Sequence, residues 1–196
     1  MKALIIVDVQ NDFLPAGSLA VAQGDEIIPF INSIQNRYEL IVATQDWHPA
    51  KHKSFASQHM GHAPFDPIVL KGVEQLLWPN HCVQGTFGAD LAEQLQQHRI
   101  EAIFRKGTNP EVDSYSGFYD NARLRSTGLH GYLQERFVQE VHICGLAADF
   151  CVYFTAIDAL QLGYKTAIVS KGTKAIDRDS YRDKKEIFIQ SGGTFI

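Results

Sequence analysis

Continuous apolar runs alternating with helix-like stretches predict a three-layer α/β/α fold on a mostly parallel, six-stranded sheet. Runs such as Leu4-Ile5-Ile6-Val7 and Leu40-Ile41-Val42-Ala43 are apolar at every position, as in strands buried on both faces. Strand-like and helix-like segments also take turns along the chain, the pattern of βαβ units with right-handed crossovers. A third observation concerns placement. Asp8, Asp46, Lys106 and Cys151 all fall at or just past expected strand ends, the side of an open α/β sheet where ligands bind.

The first strand is expected over 2–9, where Lys2 leads into Ala3-Leu4-Ile5-Ile6-Val7-Asp8-Val9, and a helix follows over 25–36. The Leu40–Ala43 run places a second strand over 39–44. A helix over 89–98 leads to a strand over 101–106, in which Phe104 precedes the closing Lys106. A helix over 127–136 then precedes the strongest strand, 138–145, inside the apolar run Val138 to Leu146. Gly145-Leu146-Ala147-Ala148-Asp149-Phe150 turns that run sharply, and helical periodicity from Cys151 to Leu160 gives a helix over 149–162. A strand over 164–170, a helix over 179–190 and a weak last strand over 193–196 complete the series. Between 45 and 88 the pattern breaks into a stretch rich in His, Pro, Gly and aromatics, with one helical turn expected near Gly72 to Leu76. Irregular segments of that length inside a domain are usually functional, and Trp47, Phe55, Phe65, Leu76, Leu77, Trp78 and Phe87 give this one surface to bury.

With 196 residues, 45% hydrophobic and 20% charged, the chain suits one well-buried domain, 1–196, with no repeat or linker. A formal charge of −4 without a basic block gives no support for nucleic acid or an anionic membrane as partner. No run approaches the roughly 20 apolar residues of a membrane span. Three cysteines and no export signal lead to the expectation of free thiols in the cytoplasm. Nothing in the sequence marks an oligomeric interface.

Cys151 is the candidate nucleophile. A thiol in the first turn of a helix lies at the positive end of the dipole, which lowers its pKa from about 8.5. The alternative is one more small buried hydrophobe. Asp8 ends a buried strand, where a carboxylate needs a partner or a task, and a raised pKa suits proton transfer to and from a thiol. Lys106 likewise closes an apolar strand. Asp46 and His48, two apart on a strand end, project to one side, and His81 returns on the far side of the long loop. One carboxylate and two imidazoles are a common ligand set for a divalent Zn, Fe or Mn ion, with His52 a fourth candidate. The alternative is a set of surface histidines in a His-rich loop, and Cys82 beside His81 is read as structural. Asp113-Ser114-Tyr115-Ser116-Gly117-Phe118 supplies aromatics to wall a flat ligand. Lys106-Gly107-Thr108 and Lys171-Gly172-Thr173 lack the spaced glycine frame of a phosphate loop.

Together these residues resemble the nicotinamidase branch of the isochorismatase-like cysteine hydrolases over nearly the whole chain. The markers are Leu4–Phe13, Thr44-Gln45-Asp46-Trp47-His48-Pro49, Trp78-Pro79-Asn80-His81-Cys82-Val83, Lys106-Gly107 with Asp113-Ser114-Tyr115-Ser116, and Gly145–Val152. The resemblance implies a catalytic triad of Asp8, Lys106 and Cys151, and a metal, zinc first, held by Asp46, His48 and His81. It implies an oxyanion hole from the N–H groups of Ala147 and Cys151, and a cis peptide between Leu146 and Ala147. The implied reaction is hydrolysis of nicotinamide to nicotinate and ammonia in NAD salvage, with pyrazinamide as a further substrate. Phe13, Trp78 and Tyr115 are the expected aromatic walls. Two positions depart from the family pattern: Ala148 stands where members often carry Thr, and Lys171 near an acidic position. The rivals are a carbamoyl-amide hydrolase of the same superfamily and a non-catalytic sensor with Cys151 as its thiol. A dinucleotide binder is disfavoured, since no GxGxxG follows the first strand.

Overall fold

The computed structural model describes residues 1–196. In chain order its elements are β1 (Lys2–Val7), α1 (Ile27–Ile34), β2 (Leu40–Asp46), β3 (Pro67–Leu70), β4 (Val73–Leu76), β5 (Ala102–Lys106), α2 (Leu129–Glu135), β6 (Glu140–Gly145), α3 (Tyr153–Gln161), β7 (Lys165–Thr173), α4 (Arg178–Gln190) and β8 (Thr194–Phe195). Six strands form one sheet in the order β5-β2-β1-β6-β7-β8, every pair parallel. The expected three-layer fold is therefore present. No helix is long and apolar enough to cross a membrane.

The period-2 alternation of the buried strands builds the layers. Leu4, Ile6, Ile41 and Ala43 pack on one face with Ile27, Ile28, Ile31 and Ile34 of α1. Ala3, Ile5, Val7, Leu40 and Val42 face the other way, onto Leu129 and Leu133 of α2 and Ala156 and Ala159 of α3. The central strands β1 and β2 are covered on both faces, which is why their runs are apolar at successive positions.

Strand order places the site. From β1 the chain moves outward on one side through β2 and β5, then returns to β6 beside β1 and moves outward on the other. The reversal opens a crevice at the carboxyl ends of β1 and β6, the topological switch point. Val7 is paired with Gly145 there, so Asp8 and the turn leading to Cys151 leave adjacent strands. In the β2–β5 register Asp46 is the partner of Lys106.

Two expectations fail. The segment 89–98 is not a helix, because its backbone groups bond to other parts of the chain. The Ala92 N–H donates to Val9 O at 2.9 Å, and Asp90 O accepts from the Asn11 N–H at 3.0 Å. Ala89 O takes the side-chain amides of Gln10 and Gln45, each at 2.9 Å. Gln94 O and Gln96 O accept from Asn32 and Gln35 near α1. The helical turn expected near Gly72 is instead the antiparallel β3–β4 hairpin. Lys71 and Gly72 both have positive φ, at 51° and 81°, the geometry of a two-residue primed hairpin turn.

Candidate active site

Four strand ends converge on Lys106, whose side chain is fully buried. Its Nζ lies 2.8 Å from Asp8 Oδ2 and 3.3 Å from Cys151 Sγ, and it donates to Ser114 O at 2.9 Å. It also pairs closely with Asp46 Oδ1. The structure thus brings the three expected triad residues together around one ammonium. Asp8 is completely buried; the Thr44 hydroxyl donates to its Oδ1 at 2.6 Å, while Oδ2 faces the Lys106 ammonium.

Charges settle accordingly. Burial raises the pKa of Asp8 against the opposing pull of Lys106. For Lys106, burial favours the neutral amine, but Asp46 and Asp8 outweigh it and hold the ammonium. Burial also pushes the Cys151 thiol well up, with Lys106 opposing and Asp8 and Asp46 reinforcing. This corrects the sequence expectation of a lowered pKa. Cys151 is buried within a wide π turn, Ala148–Val152, ahead of α3 rather than in the helix's first turn. Burial thus favours the protonated thiol over the thiolate.

Leu146–Ala147 is a cis peptide, as the resemblance implies. Ala147 O accepts the N–H groups of Phe150 and Val152, each at 3.1 Å, whereas the Ala147 N–H donates to no protein acceptor. Ala147, Cys151 and the three expected aromatics, Phe13, Trp78 and Tyr115, line one cavity. The sequence reading missed its remaining apolar walls, Leu19, Phe150 and Ile176. Phe150 carried a signal, since it adjoins Cys151; Leu19 and Ile176 carried none. The Tyr115 hydroxyl accepts from Trp78 Nε1 at 3.2 Å, and the Phe150 ring meets Trp78 edge-on at 4.8 Å. Of the two departures, Ala148 is buried with its N–H on Lys174 O, and Lys171 is exposed.

Asp46, His48 and His81 are buried with one ligand atom from each lying within 4.8 Å of the others. Asp46 Oδ2 is 3.7 Å from His81 Nε2, so this carboxylate joins the ligand cluster to the Lys106 cluster. Burial would raise Asp46, but Lys106 and the histidines hold it well below the usual carboxylate range, hence ionised. Asp113, which the sequence reading passed over for its aromatic neighbours, also lines the cavity and lies 3.2 Å from His48 Nε2. Its pKa is held down at about 2 by His48, against the effect of burial. Asp8 and Asp46 thus face the Lys106 ammonium, while Asp113 faces His48, whose pKa Asp46 and Asp113 raise against the effect of burial. The oxygen-and-imidazole donor set and its spacing fit a divalent cation. His52 belongs to a second, overlapping group with His48 and Asp113; its Nδ1 is 2.7 Å from the Ser54 hydroxyl and its Nε2 is unpartnered. Cys82 Sγ lies 3.9 Å from Gly88 O and belongs to none of the candidate ligand groups.

A parallel sheet whose switch point holds a Cys, Lys and Asp cluster is a cysteine-hydrolase arrangement. The isochorismatase domain family matches residues 2–196, and the chain belongs to that family. A nicotinamidase of Acinetobacter baylyi is 52% identical over 175 residues, spanning 89% of this chain and 82% of that one. A solved nicotinamidase/pyrazinamidase of Acinetobacter baumanii superposes with a TM-score of 0.97 at 44% identity, covering 100% of this chain and 95% of the other. A pyrazinamidase of Pyrococcus horikoshii in complex with zinc gives a TM-score of 0.82 at 35% identity, covering 100% and 98%.

Proposed function

We propose that the chain hydrolyses nicotinamide to nicotinate and ammonia through a thioester on Cys151. The observation that carries this reading is the Lys106 ammonium, set between the Asp8 carboxylate and Cys151 Sγ, the latter lining an aromatic-walled cavity. Asp8 accepts the Cys151 proton, and Lys106 stabilises the negative charge on either partner. The thiolate sulfur attacks the carboxamide carbon. The resulting oxyanion is held by the N–H groups of Ala147 and Cys151, donors of a kind each worth about 2.7–4 kcal/mol. As the C–N bond breaks, Asp8 returns its proton to the nitrogen and ammonia leaves. Water then attacks the thioester, Asp8 takes one of its protons, and nicotinate departs as the thiol is restored.

Asp46, His48 and His81 would hold a divalent cation, zinc by preference, which would supply a Lewis acid to anchor and orient the ring. Phe13, Trp78 and Tyr115 sandwich the ring and exclude water. Pyrazinamide carries the same ring nitrogen and carboxamide and fits as a second substrate.

Ammonia release from nicotinamide by the metal-loaded protein tests the reading. Release is expected, and Cys151→Ala should lower it by about 10⁴-fold or more with folding intact. Substantial turnover in that variant refutes the thioester; release only from a carbamoyl compound refutes the substrate. Asp46→Asn or His81→Ala should strip the metal, and an unchanged metal content by elemental analysis refutes the ligand set.

A further inference from the structure

Asp149 lies two residues before Cys151, and α4 reaches back to it. Its carboxylate is fully buried, Oδ1 accepting the Ile176 N–H and Oδ2 the Asp177 N–H, each at 2.9 Å. Asp177 is itself the N-cap of α4, its side chain accepting from the N–H groups of Asp179 and Ser180. Two turns into that helix, Lys184 Nζ donates to Asp149 O at 2.5 Å and sits 4.5 Å from the Phe150 ring centroid. The rings of Tyr153 and Phe154 flank the same ammonium at 5.6 and 5.5 Å. The Ala148 N–H completes the attachment by donating to Lys174 O at 2.8 Å.

The turn that carries Ala147, Phe150 and Cys151 is therefore held from outside the sheet by the 174–177 loop and α4. Both residues gripped by this attachment, Phe150 and Ile176, line the cavity. We propose that Asp149 and Lys184 are positioning residues that press the Phe150 and Ile176 walls against the substrate ring and so set substrate affinity. Neither touches the reacting atoms. A wall contact is made alike in the ground and transition states, so its loss appears in KM and leaves kcat. A merely structural role would lower thermal stability and leave the KM of the folded enzyme unchanged.

The proposal rests on the reading of that cavity as the pyridine-carboxamide site. Lys184→Met keeps most of the side-chain stem and removes the ammonium; Lys184→Arg keeps the charge. For Lys184→Met, KM for nicotinamide and Kd for nicotinate should both rise about five- to tenfold, the range of a lost, partly desolvated cation–π contact. Over the same comparison kcat should stay within about twofold, and Lys184→Arg should restore both constants. Unchanged KM and Kd in Lys184→Met, with or without a lower Tm, overturn the proposal. Should wild-type protein release no ammonia, the substrate reading fails on its own, and alkylation of Cys151 by iodoacetamide still reads the clamp. A several-fold change in that rate in Lys184→Met supports it, and an unchanged rate overturns it.

Discussion

The proton of Cys151 is the residue-scale problem this site solves. Burial raises both the thiol and Asp8, so neither ionises without help. Thr44 and Lys106 supply that help to Asp8, the hydroxyl on one oxygen and the ammonium by the other. Hydrogen bonds to charged groups are worth about 1.5–3 kcal/mol, or one to two pKa units. Thr44→Val removes a donor from the ionised form, so the pKa of Asp8 should climb further. The acid limb of kcat/KM should then move up by about one pH unit, and activity at neutral pH should fall. An unmoved limb in the pH profile would show that Asp8 is not the titrating base. At this scale Asp8 and Lys106 were legible because each ends an apolar run, and Cys151 because it follows the sharp turn that closes one. The direction of the thiol shift was not, because burial depends on what covers Cys151 from elsewhere. Asp113, Leu19 and Ile176 were invisible for the same reason: their loops follow paths set by partners distant in sequence.

Elements were legible where the segment's own pattern and its burial agree. All six sheet strands lie within a few residues of their expected bounds, since a run such as Leu4–Val7 is apolar on both faces whatever its neighbours. The helix expected over 89–98 failed because Val9, Asn11 and the side chains of Gln10 and Gln45 claim its backbone groups. The β3–β4 hairpin was missed because its strands are short and mostly half-exposed, so the Lys71-Gly72 turn was its sole strong signal. The end of β6 shows how closely elements constrain each other. Gly145 has φ +115°, and a Cβ there would lie 1.9 Å from Val7 O on the paired strand. Backbone cannot yield as a flexible side chain does. Gly145→Ala should cost more than about 4 kcal/mol, a Tm loss of about 8–16 °C, or abolish folding. Gly163→Ala is the control: φ is +88° there, but nothing lies within 4 Å of the new Cβ. It should cost only about 1–2 kcal/mol. Equal losses in the two melts would mean that conformation, not the β1–β6 approach, fixes Gly145.

Across the whole molecule the sheet separates chemistry from support. Every proposed catalytic and metal-binding group sits at the carboxyl ends of β1, β2, β5 and β6, while the amino ends of β1, β6 and β7 carry a different polar cluster. There His142 Nδ1 meets the Tyr38 hydroxyl at 2.9 Å and Nε2 meets Glu140 at 2.8 Å. Lys165 pairs with Glu140 at 3.1 Å, and Lys2 lies over the Tyr38 ring at 5.3 Å. Burial, aided by Lys2 and Lys165 and opposed by Glu140, lowers the pKa of His142 below its ordinary 6.5. The folded chain therefore holds His142 neutral where the unfolded chain already binds a proton. Its contribution to stability is complete above pH 6.5 and is lost as pH falls from there towards the lower folded value. His142→Gln should flatten the slope of stability against pH below 6.5, measured by urea unfolding between about pH 5 and 7.5. The same variant should leave kcat/KM for nicotinamide unchanged, because no proposed active-site group touches this cluster. Parallel stability curves would refute the assignment to His142, and a loss of kcat/KM would show that the two ends of the sheet are coupled through β6.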